Sequence, residues 1–151
     1  DMRVIGIDIG RQGAIALLDV SGALLDVEDM PILRDGPNNR PSVNGALLAP
    51  IIRHWQPKQA FVEFVAARPG EGPVGAFAFG RSRGVIEGVL GALEVSWAYV
   101  TPAAWKRAVG LSFASKDAAR SEAIRRWPAL AAAQAAAGRS NSAPAPPAQQ
   151  A

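Results

Sequence analysis

The chain has 151 residues and a mass of 15.8 kDa, enough for one compact domain and too little for the two full lobes of a kinase. There is no cysteine and a single histidine, His54, which excludes disulfides, thiolate zinc sites and cysteine nucleophiles and leaves a Ser/His/Asp triad poorly supplied. No apolar run approaches the roughly 18 residues of a membrane span, so a soluble protein with neither signal peptide nor span is expected. A metal would have to be held mainly by carboxylates. There are 13 of these against 16 Lys and Arg, and the last is Glu122, so the final 29 residues carry no acid. Residues 1–67 hold 6 basic and 8 acidic groups, whereas residues 68–151 hold 10 and 5, which makes the second half the expected contact for a polyanion such as nucleic acid.

In chain order, Arg3–Ile9 reads as a buried strand, and Gly13–Asp19 and Ala23–Glu28 as two more, punctuated by Gly10–Gly13 and Ser21–Gly22. Three short consecutive strands predict an antiparallel meander. Pro31–Pro41, which contains Asp35-Gly36-Pro37-Asn38-Asn39, reads as a loop. Ser42 is placed to cap a helix over Val43–Trp55, with a kink or break at Pro50. Ala60–Val65 is a fourth strand, and Ala66–Pro73 a Pro/Gly-rich connection. Val74–Leu93 has helical length and sets Gly80, Gly84 and Gly88 on one face. Val95–Val100 is a fifth strand. Thr101-Pro102 opens a short helix to Val109, and Ser115 caps a helix over Lys116–Trp127. The order βββαβαβα specifies a mixed α/β domain over residues 1–128. Residues 129–151 form an Ala- and Pro-rich tail, helical by propensity over Ala129–Ala137 and expected to be disordered at its Pro-rich end.

Two carboxylates interrupt otherwise apolar strands: Asp8 in Ile7-Asp8-Ile9-Gly10 and Glu63 in Phe61-Val62-Glu63-Phe64. Burying a carboxylate costs several kcal/mol unless it is paired or binds a cation (about 3–5 kcal/mol for a broken pair). A strand-end aspartate that merely ties down the following turn is the plain structural alternative. If the two strands are neighbours, Asp8 and Glu63 can grip one or two Mg²⁺ ions, with Mn²⁺ as a substitute, since hard cations want oxygen ligands. Lys106 and Lys116 are two of only three lysines beside 13 arginines. As compact point charges they suit a phosphate or a leaving oxygen, or are simply solvated at helix starts. Arg68, Arg81, Arg83 and Arg107 are candidate phosphate contacts. Phe77, Phe79 and Trp105 are candidates for stacking on bases, although a phenylalanine at helical spacing more commonly belongs to a core. The glycine-faced helix fits close packing on the protein's own sheet or, second, a dimer seam.

Ile5-Gly6-Ile7-Asp8-Ile9-Gly10 with Gly13-Ala14-Ile15-Ala16, Val62-Glu63, Arg68-Pro69-Gly70-Glu71-Gly72, Phe77-Ala78-Phe79-Gly80-Arg81-Ser82-Arg83-Gly84, Val100-Thr101-Pro102-Ala103-Ala104-Trp105-Lys106 and Ser115-Lys116-Asp117 together resemble the RuvC-type Holliday junction resolvases, particularly their phage and prophage branch. A lone Asp-x-Gly is weak, but this succession runs in order from about Arg3 to Pro128. The resemblance implies a ribonuclease H-like fold, a homodimer, and Mg²⁺-dependent cleavage of four-way DNA junctions by paired nicks in DNA recombination and repair, in the cytoplasm of a bacterial host. Under it, Asp8 matches the metal-bridging aspartate of the first strand, Glu63 the glutamate of the fourth, and Lys106 and Lys116 the two lysines near the scissile phosphate. Arg68–Gly84 corresponds to the segment bordering the junction.

The chain departs from that pattern where the family closes its metal site with acids on the last helix. Here the sequence is Ala137-Gly138-Arg139-Ser140-Asn141-Ser142, followed by Pro144-Ala145-Pro146-Pro147. A binding-only relative is therefore a rival expectation. An actin-like or sugar-kinase nucleotide-binding lobe is another, since its phosphate loop also uses an Asp-x-Gly turn, but it leaves Glu63 and the Phe77-x-Phe79-Gly80 run without a role. A monomeric ribonuclease H-fold nuclease with another nucleic acid substrate is a third.

Overall fold

The computed structural model describes residues 1–10, 12–35, 37–66, 70–113 and 115–132. The expectations for Arg68 and for the tail beyond residue 132 lie outside the described residues. The chain divides into two compact units, Asp1–Val109 and Gly110–Ala151. The first carries β1 (Arg3–Ile7), β2 (Ala14–Asp19), β3 (Leu24–Asp29), β4 (Ile32–Leu33), a 3-10 turn at Pro37–Asn39, β5 (Ser42–Val43), α1 (Gly45–Trp55), β6 (Gln59–Glu63), α2 (Pro73–Ala92), β7 (Ser96–Val100) and α3 (Pro102–Ala108). The second carries α4 (Lys116–Arg126), capped by Ser115, whose hydroxyl accepts from the Ala118 N–H. Residues 129–132 also have helical geometry.

The main sheet has the order β3-β2-β1-β6-β7. The meander β1-β2-β3 is antiparallel as expected, and β6 and β7 join parallel to β1. Alternation along the strands sends Ile5 and Ile7, Ile15 and Leu17, and Ala60 and Val62 to one face, where they are buried together with Leu48, Ile52 and Trp55 of α1 and Ile86 and Leu90 of α2. The two helices supply these residues at three- and four-residue spacings, so each lays one stripe on the sheet. The opposite register, containing Gly6 and Phe61, carries Asp8 and Glu63 away from this core.

Three local expectations are corrected by tertiary contacts. Ser42 does not cap α1: it lies in β5, paired with Leu33, because the Val43 N–H donates to the buried Ser82 hydroxyl and the Asn44 N–H to the Pro31 carbonyl. The cap is Asn44, whose side chain accepts from the Leu47 N–H. Inside the stretch Pro31–Pro41 read as a loop, β4 pairs antiparallel with β5, which occupies the expected cap and first residue of the helix. Of the kink or break expected at Pro50, the break does not occur, since α1 runs on to Trp55; Pro50 is exposed, opposite the buried stripe of Leu48, Ile52 and Trp55.

β1 stops at Ile7, two residues short of the expected end. The Gly10 N–H folds back onto Asp8 Oδ1 at 2.9 Å, and the Gly13 N–H onto the Gly10 carbonyl at 2.8 Å. A methyl group on Gly13 would lie 2.2 Å from the Asp8 carbonyl oxygen and 2.8 Å from that of Gly10, whereas one on Gly6 meets nothing within 4 Å. Gly13→Ala should therefore cost about 3 kcal/mol of unfolding free energy, measured as a lowered urea midpoint, while Gly6→Ala stays near the wild-type value.

Candidate metal centre and nucleic-acid interface

The site is set by register. β1 and β6 run parallel with Ile7 opposite Val62, so Asp8 and Glu63 follow side by side as the two strands end. Asp8 is exposed at the turn, with Oδ1 accepting from the Gly10 N–H. The turn-tying role weighed for this aspartate is thus present, and it orients the carboxylate at the strand end. Glu63 is half-buried, and its pKa is raised above the ordinary 4.5, first by burial and then by the nearby negative charge of Asp8. Two influences oppose the rise: the Trp105 indole, whose Nε1–H donates to Glu63 Oε2 at 3.1 Å, and the positive charge of Lys106. Both come from α3, which starts two residues beyond Val100, the β7 partner of Glu63.

Asp8, Glu63 and Lys106 are thereby brought to one place. Lys116 is the first residue of α4 in the second unit. Among the described residues no group of three or more His, Cys, Asp or Glu is arranged to hold a metal ion, so the donor set is a pair. The pair does fit a hard divalent cation: Glu63, destabilised as an anion by burial and by the neighbouring charge of Asp8, is relieved by a positive charge between the two carboxylates.

The candidate phosphate contacts have different situations. Arg81 makes a two-pronged ion pair with Asp35 at 3.0 and 2.9 Å, holding the Asp35 carboxyl below its usual range. The pair is exposed, and an exposed pair yields readily to another anion. Arg83 is built into the protein. Its guanidinium lies 4.6 Å from the Phe64 ring centroid and 4.5 Å from that of Tyr99, and Nε donates to Glu87 at 3.0 Å and to the Tyr99 hydroxyl at 3.2 Å. The Tyr99 hydroxyl also donates to Glu87. This cluster ties α2 to the ends of β6 and β7, next to Glu63, and competes with phosphate for Arg83. Arg107 is exposed in the last turn of α3.

The three aromatics separate as well. Phe79 packs against the core, Trp105 serves Glu63, and Phe77 is 77% exposed beside an apolar groove bordered by Val74, Arg40 and Arg81. The indole contact to Glu63 was not anticipated. Its only sequence signal is the position of Trp105 beside Lys106, in the first turns after a strand.

No family model and no curated sequence matches the chain. Solved structures do. A Thermus thermophilus RuvC structure superposes with a TM-score of 0.59 at 21% identity, covering 77% of this chain and 74% of that one. T. thermophilus RuvC in complex with a Holliday junction substrate gives 0.58 at 18% identity, covering 72% and 70%. This likeness establishes the fold: a RuvC-like, ribonuclease H-type α/β sheet flanked by helices, as the resemblance implied.

The strained glutamate predicts a pH dependence. A folded pKa above the unfolded value means that the native state holds the Glu63 proton more tightly, so stability is lost as pH rises through 4.5 and the folded pKa. Glu63→Gln should melt at a higher temperature than wild type at pH 7, with the difference shrinking below pH 4.5; calorimetry across pH 3.5–8, roughly the carboxylate range and above, checks it.

Proposed function

We propose that the chain is a RuvC-like endodeoxyribonuclease that acts on four-way DNA junctions, with Asp8 and Glu63 as ligands of Mg²⁺ or Mn²⁺. The observation that carries this reading is the pair of carboxylates side by side at the ends of adjacent parallel strands in a RuvC-like fold, with Lys106 beside them. The solved relative bound to a Holliday junction substrate supports the choice of branched DNA.

A divalent cation at such a site supplies Lewis acidity toward a phosphoryl oxygen and lowers the pKa of water. The protein's own part follows from the geometry. Asp8 and Glu63 bind and fix the charge, the Gly10 N–H holds the Asp8 carboxylate in orientation, and Lys106 neutralises negative charge developing on the phosphate. Lys116 is proposed for a leaving oxygen. Phe77, Arg81 and Arg107 offer an exposed stacking surface and positive charge to flanking DNA, and Arg68 joins them by resemblance. Paired nicks on one junction need two active sites, so a homodimer belongs to this reading. The exposed face of α2, where Gly80, Gly84 and Gly88 have open space around them, is its proposed seam. Residues 1–128 form the proposed nuclease domain and 129–151 an appended tail. A phage or prophage gene and a location in the bacterial cytoplasm enter this proposal from the resemblance alone. No described helix is long and apolar enough to cross a membrane.

One observation favours a second reading, a junction-binding protein without turnover: among the described residues two acids converge and no third joins them, and residues 123–151 carry none. A nicking assay on a synthetic four-way junction with Mg²⁺ or Mn²⁺ separates the two. The nuclease reading expects paired nicks from wild type and none from Asp8→Asn; equal product from both proteins sinks it. Binding by both with product from neither selects the second reading.

Under either reading, binding should fall steeply with salt. With six or more phosphates neutralised, junction affinity drops about 10³-fold between roughly 50 and 200 mM salt. Fluorescence anisotropy measures this, and an affinity flat in salt contradicts the role given to the basic half.

A further inference from the structure

We propose that Trp105 is a positioning residue that orients Glu63 and Lys106 at once, through the edge and the face of one indole ring. The inference rests on the reading of Asp8 and Glu63 as a divalent-cation site and adds a residue that the reading does not require.

The geometry begins with β7. Val100 pairs with Glu63, and the next residue, Thr101, caps α3 by accepting from the Ala104 N–H at 3.2 Å. The Trp105 N–H then donates to the Thr101 carbonyl at 3.1 Å, closing the first turn of the helix. Residue 105 is therefore held one turn beyond the strand end, at a fixed distance along the chain from the partner of Glu63. Pro102 at the helix start pre-sets the backbone there. The outcome is the 3.1 Å bond from Nε1–H to Glu63 Oε2.

An indole N–H can only donate. It orients a carboxylate oxygen without competing for a cation, and it leaves Oε1 to other partners. A hydroxyl or an amide in the same place has acceptor capacity as well and does not impose this polarity. The same ring has a negative face and a positive edge. The edge meets the anion, Glu63, while the Lys106 ammonium lies 5.7 Å from the ring centroid over the face. Each contact matches the ring's own charge distribution, so holding the ring fixes the anion and the cation together. Trp105 is only partly exposed and so is not freely presented for base stacking.

The test separates the edge from the rest of the ring. Trp105→Phe keeps an aromatic face and removes the donor. Mn²⁺ binding is followed by electron paramagnetic resonance on wild type, Asp8→Asn and Trp105→Phe, each checked for its melting temperature. Loss of an outer hydrogen bond to a ligand typically weakens a metal about 10- to 100-fold, and Trp105→Phe should bind Mn²⁺ at least about tenfold more weakly than wild type. Affinity within about twofold of wild type overturns the positioning role while leaving the cation site standing. Equal Mn²⁺ binding by wild type and Asp8→Asn overturns the cation site and the positioning role with it.

A second measurement does not depend on the stability of the Trp105 variant. In ¹⁵N-labelled protein, one of the four indole N–H resonances, that of Trp105, should shift when Glu63 is replaced by Gln and should shift again when Mg²⁺ is added to wild type. A Trp105 signal indifferent to Glu63→Gln refutes the edge contact.

Discussion

The parallel pairing of β1 with β6 is the constraint on which the rest depends. Ile5 and Ile7 on one strand, and Ala60 and Val62 on the other, are buried on the same face and lock the register in which Ile7 meets Val62. A slip of one residue would turn Glu63 to the helix-covered side. The apolar packing of one face thereby decides that two carboxylates stand together on the other. Placing like charges side by side works against stability, and the charge of Asp8 adds to burial, the larger cause, in raising the pKa of Glu63. Groups arranged for chemistry commonly carry such a cost.

Around this pair the protein has built supports of different stiffness. The Gly10–Gly13 turn holds Asp8 by backbone geometry that admits no side chain at Gly13. The Phe64–Arg83–Tyr99–Glu87 cluster ties α2 to the strand ends beside Glu63, with Arg83 between two rings and Tyr99 edge-on to Phe64 at 5.4 Å. By contrast, Arg81 and Asp35 are joined only at the surface, and Phe77 is 77% exposed. The groups bonded to the carboxylates are thus held by backbone and by packed rings, whereas Arg81 and Phe77 are exposed. A site proposed to hold a small cation and to meet an extended polyanion calls for both.

The strands and helices were legible because each carries its own period. Alternation marks β1, β2 and β6, and the spacing of Leu48, Ile52 and Trp55, or of Ser82, Ile86 and Leu90, marks the helices. The candidate carboxylates were legible for the same reason, as the charges that break those patterns. Local rules failed where a distant group outbid them. Ser42 has the chemistry of a cap, yet the Ser82 hydroxyl and the Pro31 carbonyl draw its neighbours into a strand and pass the cap to Asn44. Arg83, read as a phosphate contact, finds Phe64 and Tyr99 in the fold, and Trp105 finds Glu63, 42 positions away.

By itself the sequence determined the type and order of the main elements, though not the short β4–β5 pair, together with the acids that interrupt the apolar strands and the concentration of positive charge after residue 67, since these follow from composition and short-range period. Only the tertiary structure decided that Asp8 and Glu63 stand together where two adjacent interior strands end, that Trp105 and Lys106 converge there, and which arginines are already engaged. The reason is physical. Strand order and register arise from contacts between segments more than fifty residues apart, such as Ile7 with Val62, and no local propensity records which partner a side chain will meet.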